Sequence, residues 1–266
     1  MGHMIETAIA PLFVPADKPA LLAKARASAA DAIILDLEDA VSPNQKSAAR
    51  GLFSESLGGP VTVRINAVNT EWHQPDLAVM ANPDVAAIML SKAEDPAVIE
   101  AVRRAASRPM QVVALVETAL GMENVNSIAK AADRLAFGSL DYAADLGAVP
   151  DHDVLAYARS RIVLASRLAN RPPPLDGVTP DFRNAEACQM DTAHAIRMGF
   201  GGRLCIHPSQ IAIVRGAYVP SEAEVEWARR IAALGSGAVS LDGKMVDAPV
   251  KARAAQVLER WNRLKD

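Results

Sequence analysis

Short apolar runs alternate with amphipathic stretches along nearly the whole chain. Residues 12–14 form the first run, and helical text follows over 20–29. Residues 32–37 make a second run, with a helix beginning near Pro43. Val61–Ile65 is the third and 86–90 the fourth, with helical text at 95–106. The fifth and sixth runs cover 112–116 and 135–138, and strong helical periodicity fills 151–168. Residues 174–178 give a seventh strand, 181–198 its helix, and 203–206 an eighth strand. Such runs, bounded by turns and separated by helices, predict parallel strands covered on both faces. Eight of them favour an α/β fold of the closed (β/α)8 TIM-barrel type, with an open doubly wound sheet as the alternative. Residues 1–4 read as a cloning scar, 5–220 as the catalytic barrel, and 221–266 as a C-terminal helical extension. Within the extension, helical text at 222–234 and 249–264 is separated by the small, turn-forming stretch 235–244.

Composition fits this architecture. Half of the 266 residues are hydrophobic but only 4% are aromatic, so aliphatic side chains must fill the core. That suits the layered interior of a barrel. A net charge of −3 and a pI near 6.0 lack the clustered basic excess of a nucleic-acid-binding face. No stretch is long and apolar enough for a spanning helix, and no secretory leader is expected, so the reading is cytoplasmic with no membrane partner. Cys188 and Cys205 have no metal-ligand spacing and are expected as buried thiols in a reducing compartment. The five histidines are scattered, which disfavours zinc. Walker-type, Gly-x-Gly-x-x-Gly and Gly-x-Ser-x-Gly motifs are all missing, which removes the usual support for nucleotide hydrolysis, dinucleotide binding and serine-hydrolase chemistry.

Barrel chemistry collects where strands end, at the C-terminal face. The second run ends in Asp36-Leu37-Glu38-Asp39, the third in Arg64-Ile65-Asn66, and the fourth in Ser91-Lys92. The fifth ends in Glu117-Thr118, the sixth in Ser139-Leu140-Asp141, and the eighth in His207-Pro208-Ser209-Gln210. Lys92 or His207 alone would simply mark where a strand meets water. Six polar strand ends on one rim place several carboxylates around a common centre, where they would repel one another without a cation. Oxygen-only ligation points to a hard divalent ion. Glu117 and Asp141 are the expected direct ligands, with Glu38 and Asp39 further out, orienting metal-bound waters. Asp145 falls one turn later and is expected to be structural, near the start of the following helix.

In these segments the chain resembles the citrate lyase β-subunit-like branch of the HpcH/HpaI aldolase superfamily. The matching stretches are LFVPADKP (12–19), AIILDLEDAV (32–41), VRIN (63–66), ALVET (114–118), FGSLDYAADLG (137–147) and CIHPSQI (205–211). DGKMVDAP (242–249) is shared with the malyl-CoA-type and citramalyl-CoA-type lyases of that group. The resemblance implies a barrel that uses Mg²⁺, or Mn²⁺ in its place, and is often a homotrimer. It would cleave or form a β-hydroxyacyl-CoA thioester such as malyl-, citramalyl- or citryl-CoA, yielding acetyl-CoA and a 2-oxo acid. The family's metal ligands fall on Glu117 and Asp141, its active-site arginine on Arg64, and an acid/base aspartate supplied by a neighbouring subunit on Asp247. Lys18, Lys24 and Lys46, which follow the first two strands, are the candidates for coenzyme A phosphates. The family's start often reads Arg-Ser before its first strand; here that stretch is Ala8-Ile9-Ala10-Pro11. Ser91 and Leu120 stand where relatives often carry Pro and Arg.

The implied mechanism has the metal chelating the 2-oxo acid, Arg64 stabilising the oxyanion of a thioester enolate, and Asp247 protonating its carbon. Two plainer roles compete: Arg64 as a salt bridge to Glu38 or Asp39, and Asp247 as the N-cap of the last helix. Removing the charge of Arg64 is expected to cost several orders of magnitude in activity and to leave folding intact. The alternatives are a class II aldolase acting on free hydroxy-oxo acids, a carrier-dependent β subunit of a multi-chain lyase, and a non-catalytic sensor barrel.

Overall fold

The computed structural model describes residues 4–234, 239–241 and 244–264. The first three residues of the expected scar, part of the stretch 235–244, and Asp242 and Gly243 of the DGKMVDAP segment lie outside the described residues. The chain divides into two compact units, Met1–Val214 and Arg215–Asp266.

In the first unit eight parallel strands follow one another in sequence order. They are β1 (Leu12–Pro15), β2 (Ile33–Asp36), β3 (Val61–Ile65), β4 (Val85–Leu90), β5 (Gln111–Val116), β6 (Arg134–Phe137), β7 (Leu175–Asp176) and β8 (Gly202–Arg203). A parallel bridge between Leu12 and Cys205 closes the sheet on itself. There Phe13 N donates to Cys205 O at 2.8 Å and Cys205 N to Pro11 O at 2.9 Å. The (β/α)8 barrel expected from the alternating pattern is therefore the fold. β7 is shorter than its apolar run, because Pro172, Pro173 and Pro174 before it have no N–H to offer a ladder.

Side chains on a strand alternate between its two faces. One set, with Ile34, Ala87, Met89, Val113, Leu115, Ala136, Leu175 and Leu204, fills the barrel interior. Two residues beyond Ile34, Leu115 and Ala136 come Asp36, Glu117 and Gly138. The same period that packs the core thus delivers two carboxylates and a bare backbone to its top. Helices cover the outside, and their ends are read from the sequence. Asp95 caps Pro96–Ala105 by accepting from Ala97 N at 2.8 Å. Gly199, at φ 94°, ends Ala185–Met198 in a conformation that favours glycine.

Some elements differ from the expectation. The helix near Pro43 is a 3-10 turn, Pro43–Gln45, followed by the short helix Lys46–Arg50. Short helices Ala119–Glu123, Val125–Ala131 and Ser139–Asp145 occupy text read only as strand ends and their loops. Elements of five to seven residues complete too few turns to print a helical period.

The second unit has its own core. Ala228 and Ile231 of the helix Glu222–Ala232 pack with Val246 and with Ala254 and Val257 of the helix Ala248–Leu264. Ser221 and Glu224 form a reciprocal capping box at the start of the first helix. The stretch 235–244 is not only a turn: Val239–Leu241 and Lys244–Val246 pair as antiparallel strands. Among the described residues, no helix is long and apolar enough to cross a membrane.

Candidate active site

At the C-terminal face of the barrel lies a cavity of about 360 Å³. Its polar lining comprises Asp36, Asp39, Arg64, Glu117, Ser139 and Asp141, and its walls include Phe13, Leu115, Phe137, Val178, Leu204 and Ile206. A mostly apolar hollow with a few convergent charges is the usual form of a small-molecule site. Here it is built by the ends of β1, β2, β3, β5 and β6 and by the segments that follow β2, β5, β6, β7 and β8.

Arg64 anchors the acidic side. Its Nε and Nη2 donate to Asp36 Oδ1 and Oδ2 at 2.7 and 2.6 Å, a bidentate pair. Nη1 lies 2.9 Å from Glu38 Oε2 and 3.3 Å from Asp39 Oδ2. The guanidinium stacks over the Phe13 ring, 4.7 Å from its centroid. Burial pulls its pKa down, but Asp36, Glu38 and Asp39 more than offset this, and the pKa is raised. The salt-bridge role and a place at the cavity therefore coexist in one residue. Asp36 is fully engaged, since it also accepts from Glu38 N at 2.8 Å and Ala40 N at 3.0 Å. The expectation that folding tolerates the loss of Arg64's charge is accordingly corrected: removing it would strand buried carboxylates.

Glu117 is 1% exposed. Burial pushes its pKa up to about 8, with Glu38 adding to the rise and the Lys92 N–H and Arg64 opposing it. One oxygen, Oε1, accepts from Lys92 N at 2.8 Å. Oε2 accepts no hydrogen bond among the described residues, and neither does the Asp141 carboxylate. Asp141 is not at a strand end but in the first turn of the helix Ser139–Asp145. Five carboxylates (Asp36, Glu38, Asp39, Glu117 and Asp141) face two cations, Arg64 and Lys92, across this rim. A carboxyl whose pKa is raised by burial and then by its acidic neighbours, with an open oxygen beside a second carboxylate, suits a divalent cation. Among the described residues no three of His, Cys, Asp and Glu converge on one point. Two carboxylate donors, Glu117 and Asp141, would fit a hard ion that keeps waters and takes substrate oxygens.

Gly138 explains how Glu117 fits. A Cβ there would overlap the Glu117 carboxylate and its Cβ. Gly138→Ala is expected to destabilise the protein by roughly 1–3 kcal/mol and to weaken Mg²⁺ binding at least tenfold, read by thermal melting and metal titration. Unchanged affinity would show that Glu117 is not fixed from this side.

The remaining expected residues divide. Lys46 is buried, and its ammonium donates to Leu37 O and Glu38 O at 2.9 Å each while lying over the Trp72 ring. It ties down the loop carrying Glu38 and is withdrawn as a phosphate contact. Lys18 is exposed just before the helix Pro19–Arg26, at the rim. Lys24 stands in that helix's last turn, about 9 Å further along its axis than Lys18. Asp145 is structural, but at the end of its helix, and its carboxylate accepts from Ala119 N at 2.7 Å. In the second unit, Asp247 Oδ1 accepts from Val250 N at 3.3 Å, which is the N-cap arrangement. Cys188 and Cys205 are buried, and burial raises both thiol pKa values.

Sequence reading assigned no role to Asp36, Gly138 or the aromatic walls Phe13 and Phe137. The period-two spacing of Asp36 from Ile34 and of Gly138 from Ala136 was the available signal. A further buried acid, Asp176, follows the inward Leu175 and so points outward. There it pairs with Arg159 at 3.1 Å and Arg203 at 2.9 Å, outside the cavity.

Comparison with known proteins agrees with this geometry. Residues 10–208 match the model of the HpcH/HpaI aldolase/citrate lyase family. A citrate lyase subunit beta-like protein of Mycobacterium tuberculosis is 40% identical over 264 residues, 94% of each chain. A (3S)-malyl-CoA thioesterase of Cereibacter sphaeroides is 37% identical over 266 residues, covering 93% of this chain and 92% of that one. The crystal structure of the M. tuberculosis protein CitE in complex with magnesium, acetoacetate and coenzyme A superposes with a TM-score of 0.87. It is 38% identical and covers 96% of this chain and 98% of that one. The closed barrel and the citrate lyase relatives define the class, a lyase. The chain belongs to the HpcH/HpaI aldolase/citrate lyase family.

Proposed function

We propose that the chain is a Mg²⁺-dependent lyase that cleaves a β-hydroxyacyl-CoA thioester of the malyl, citramalyl or citryl type into acetyl-CoA and a 2-oxo acid, or joins them. The observation that carries this reading is the pair of cavity carboxylates, Glu117 and Asp141, with open oxygens beside Arg64. A divalent cation held by Glu117 and Asp141 would supply Lewis-acid polarisation of the substrate's hydroxyl or oxo oxygen. Glu38 and Asp39 order water that takes up the hydroxyl proton. As the C–C bond breaks, its electron pair moves onto the thioester, and Arg64 stabilises the resulting oxyanion. A proton from Asp247 then completes the acetyl methyl group. We assign that Asp247 to a neighbouring subunit of a homotrimer, so that a monomer would be inactive. Lys18, at the rim, and Lys24, further along the same helix, are the remaining candidates for coenzyme A phosphates.

A second reading has one specific support, the 37% identical relative named as a malyl-CoA thioesterase. In that case the chain would hydrolyse the thioester itself. One assay separates the two. Malyl-, citramalyl- and citryl-CoA are incubated with and without Mg²⁺ while acetyl-CoA, 2-oxo acid and free thiol are followed. Metal-dependent release of acetyl-CoA with an equimolar oxo acid is expected. Free thiol without oxo acid would replace the lyase reading by the thioesterase one. Silence on all three thioesters, with cleavage of free hydroxy-oxo acids, would point to an aldolase.

A further inference from the structure

Lys92 follows β4, and its sequence setting marks it only as a charge leaving a strand. Its backbone shows otherwise. Lys92 has φ 46°, and among the described residues it shares positive φ outside glycine only with Asn170. Asparagine visits the left-handed region readily, whereas a long unbranched side chain is held there at a cost. The neighbours on both sides are pinned. Ser91 Oγ donates to Ile65 O at 2.8 Å and Ala93 N to Leu115 O at 3.0 Å. Between these anchors the left-handed turn aims Lys92 N at Glu117 Oε1, 2.8 Å away. On the far side, Glu117 packs so closely on the bare backbone of Gly138 that a Cβ there would overlap its carboxylate. The Lys92 ammonium reaches back to Glu38 Oε1 at 3.3 Å, in a partly buried setting.

We infer that Lys92 is a positioning residue that holds Glu117 in place through its own backbone N–H, and that its ion pair with Glu38 sustains the left-handed turn this requires. The N–H engages Oε1 and leaves Oε2 to the cavity. The side chain does not touch the cavity; its task is to offset the strain of the turn. The inference rests on the metal-binding role of Glu117 proposed above.

This division of labour predicts an inverted order of substitutions. Lys92→Gly loses the ion pair but also the strain, so the turn and its N–H persist. Lys92→Ala loses the ion pair and keeps the strain, so the turn relaxes and the N–H leaves Glu117. Mn²⁺ and Mg²⁺ titrations of the full-length protein, by electron paramagnetic resonance and calorimetry, are the test, with thermal melting in parallel. For Lys92→Ala the affinity should fall at least tenfold, while Lys92→Gly and Lys92→Arg should stay within about threefold of the parent. Lys92→Gly should also melt no lower than Lys92→Ala. Equal affinities for the Gly and Ala variants would overturn the inference, because a side-chain role alone treats them alike. Glu117→Gln serves as the control. If it leaves the affinity of the parent unchanged, the metal assignment itself fails and the inference with it.

Discussion

Glu117→Gln is expected to lower Mg²⁺-dependent thioester cleavage by at least about a thousandfold, since it removes a ligand whose cation supplies several kcal/mol of charge stabilisation. The same substitution should leave the metal-free protein folded and make it more stable near neutral pH. The reason is the raised pKa, about 8 against an ordinary 4.5, caused first by burial and then by Glu38. Between those two values the folded carboxyl retains a proton that the unfolded chain has released. The folded state then binds more protons, so stability falls as pH rises through this window. The full loss is on the order of a few kcal/mol. Thermal melts of metal-free protein from pH 5 to 8 should show this decline, and Glu117→Gln should flatten it. Part of the slope should survive, because burial also raises the pKa of Glu38. Saturating Mg²⁺ should stabilise the parent most at the alkaline end. A flat melting profile for the metal-free parent would contradict the burial argument, and a Glu117→Gln enzyme with parental turnover would remove Glu117 from the site.

The second large effect concerns Arg64, where activity and stability should fall together. Arg64→Ala leaves Asp36, 1% exposed, and Glu38, 7% exposed, without their cation. Breaking a buried pair from one side costs about 3–5 kcal/mol, a drop in melting midpoint on the order of 10 °C. Loss of an oxyanion donor should reduce kcat by a further factor on the order of a thousand in whatever folds. Arg64→Lys separates the two. It keeps a charge among the carboxylates but not the two-pronged fit to Asp36 at 2.7 and 2.6 Å. That variant should recover most of the melting midpoint while its turnover remains at least tenfold down. If Arg64→Ala melts like the parent, the ion-pair network carries no net stability. If Arg64→Lys turns over normally, the fork geometry is not used in catalysis.

The relation between the two predictions comes from the acidity of the rim. Arg64 is drawn into the carboxylate cluster from β2, while Glu117 stands with no strong cation of its own except the partly exposed Lys92. A cation at Glu117 and Asp141 would relieve the larger imbalance. Metal binding and the protonation of Glu117 should therefore compete.

By itself the sequence determined the order and kind of the elements, because strand burial on both faces and helix amphipathicity are written as local periods. It also placed the charged residues that the fold gathers at one rim. Glu117 and Glu38 follow their apolar runs directly and Arg64 lies one residue inside the end of its own, and in a parallel barrel every strand end arrives at the same face. Short helices such as Ser139–Asp145 were invisible, since they complete too few turns to leave a period. The tertiary structure alone decided which charges are engaged with which. That Asp36 grips Arg64 and that Lys46 is spent on two carbonyls are contacts between segments many residues apart. So is the proximity of Gly138, whose missing side chain makes room for Glu117. The left-handed turn at Lys92 was likewise illegible, because lysine has no intrinsic preference for it and the contacts that hold it, from Ser91, Ala93 and the Lys92 ammonium, reach segments many residues away. The two carboxylates could be chosen from the chain; the proton balance that makes them suited to a cation belongs to the folded rim.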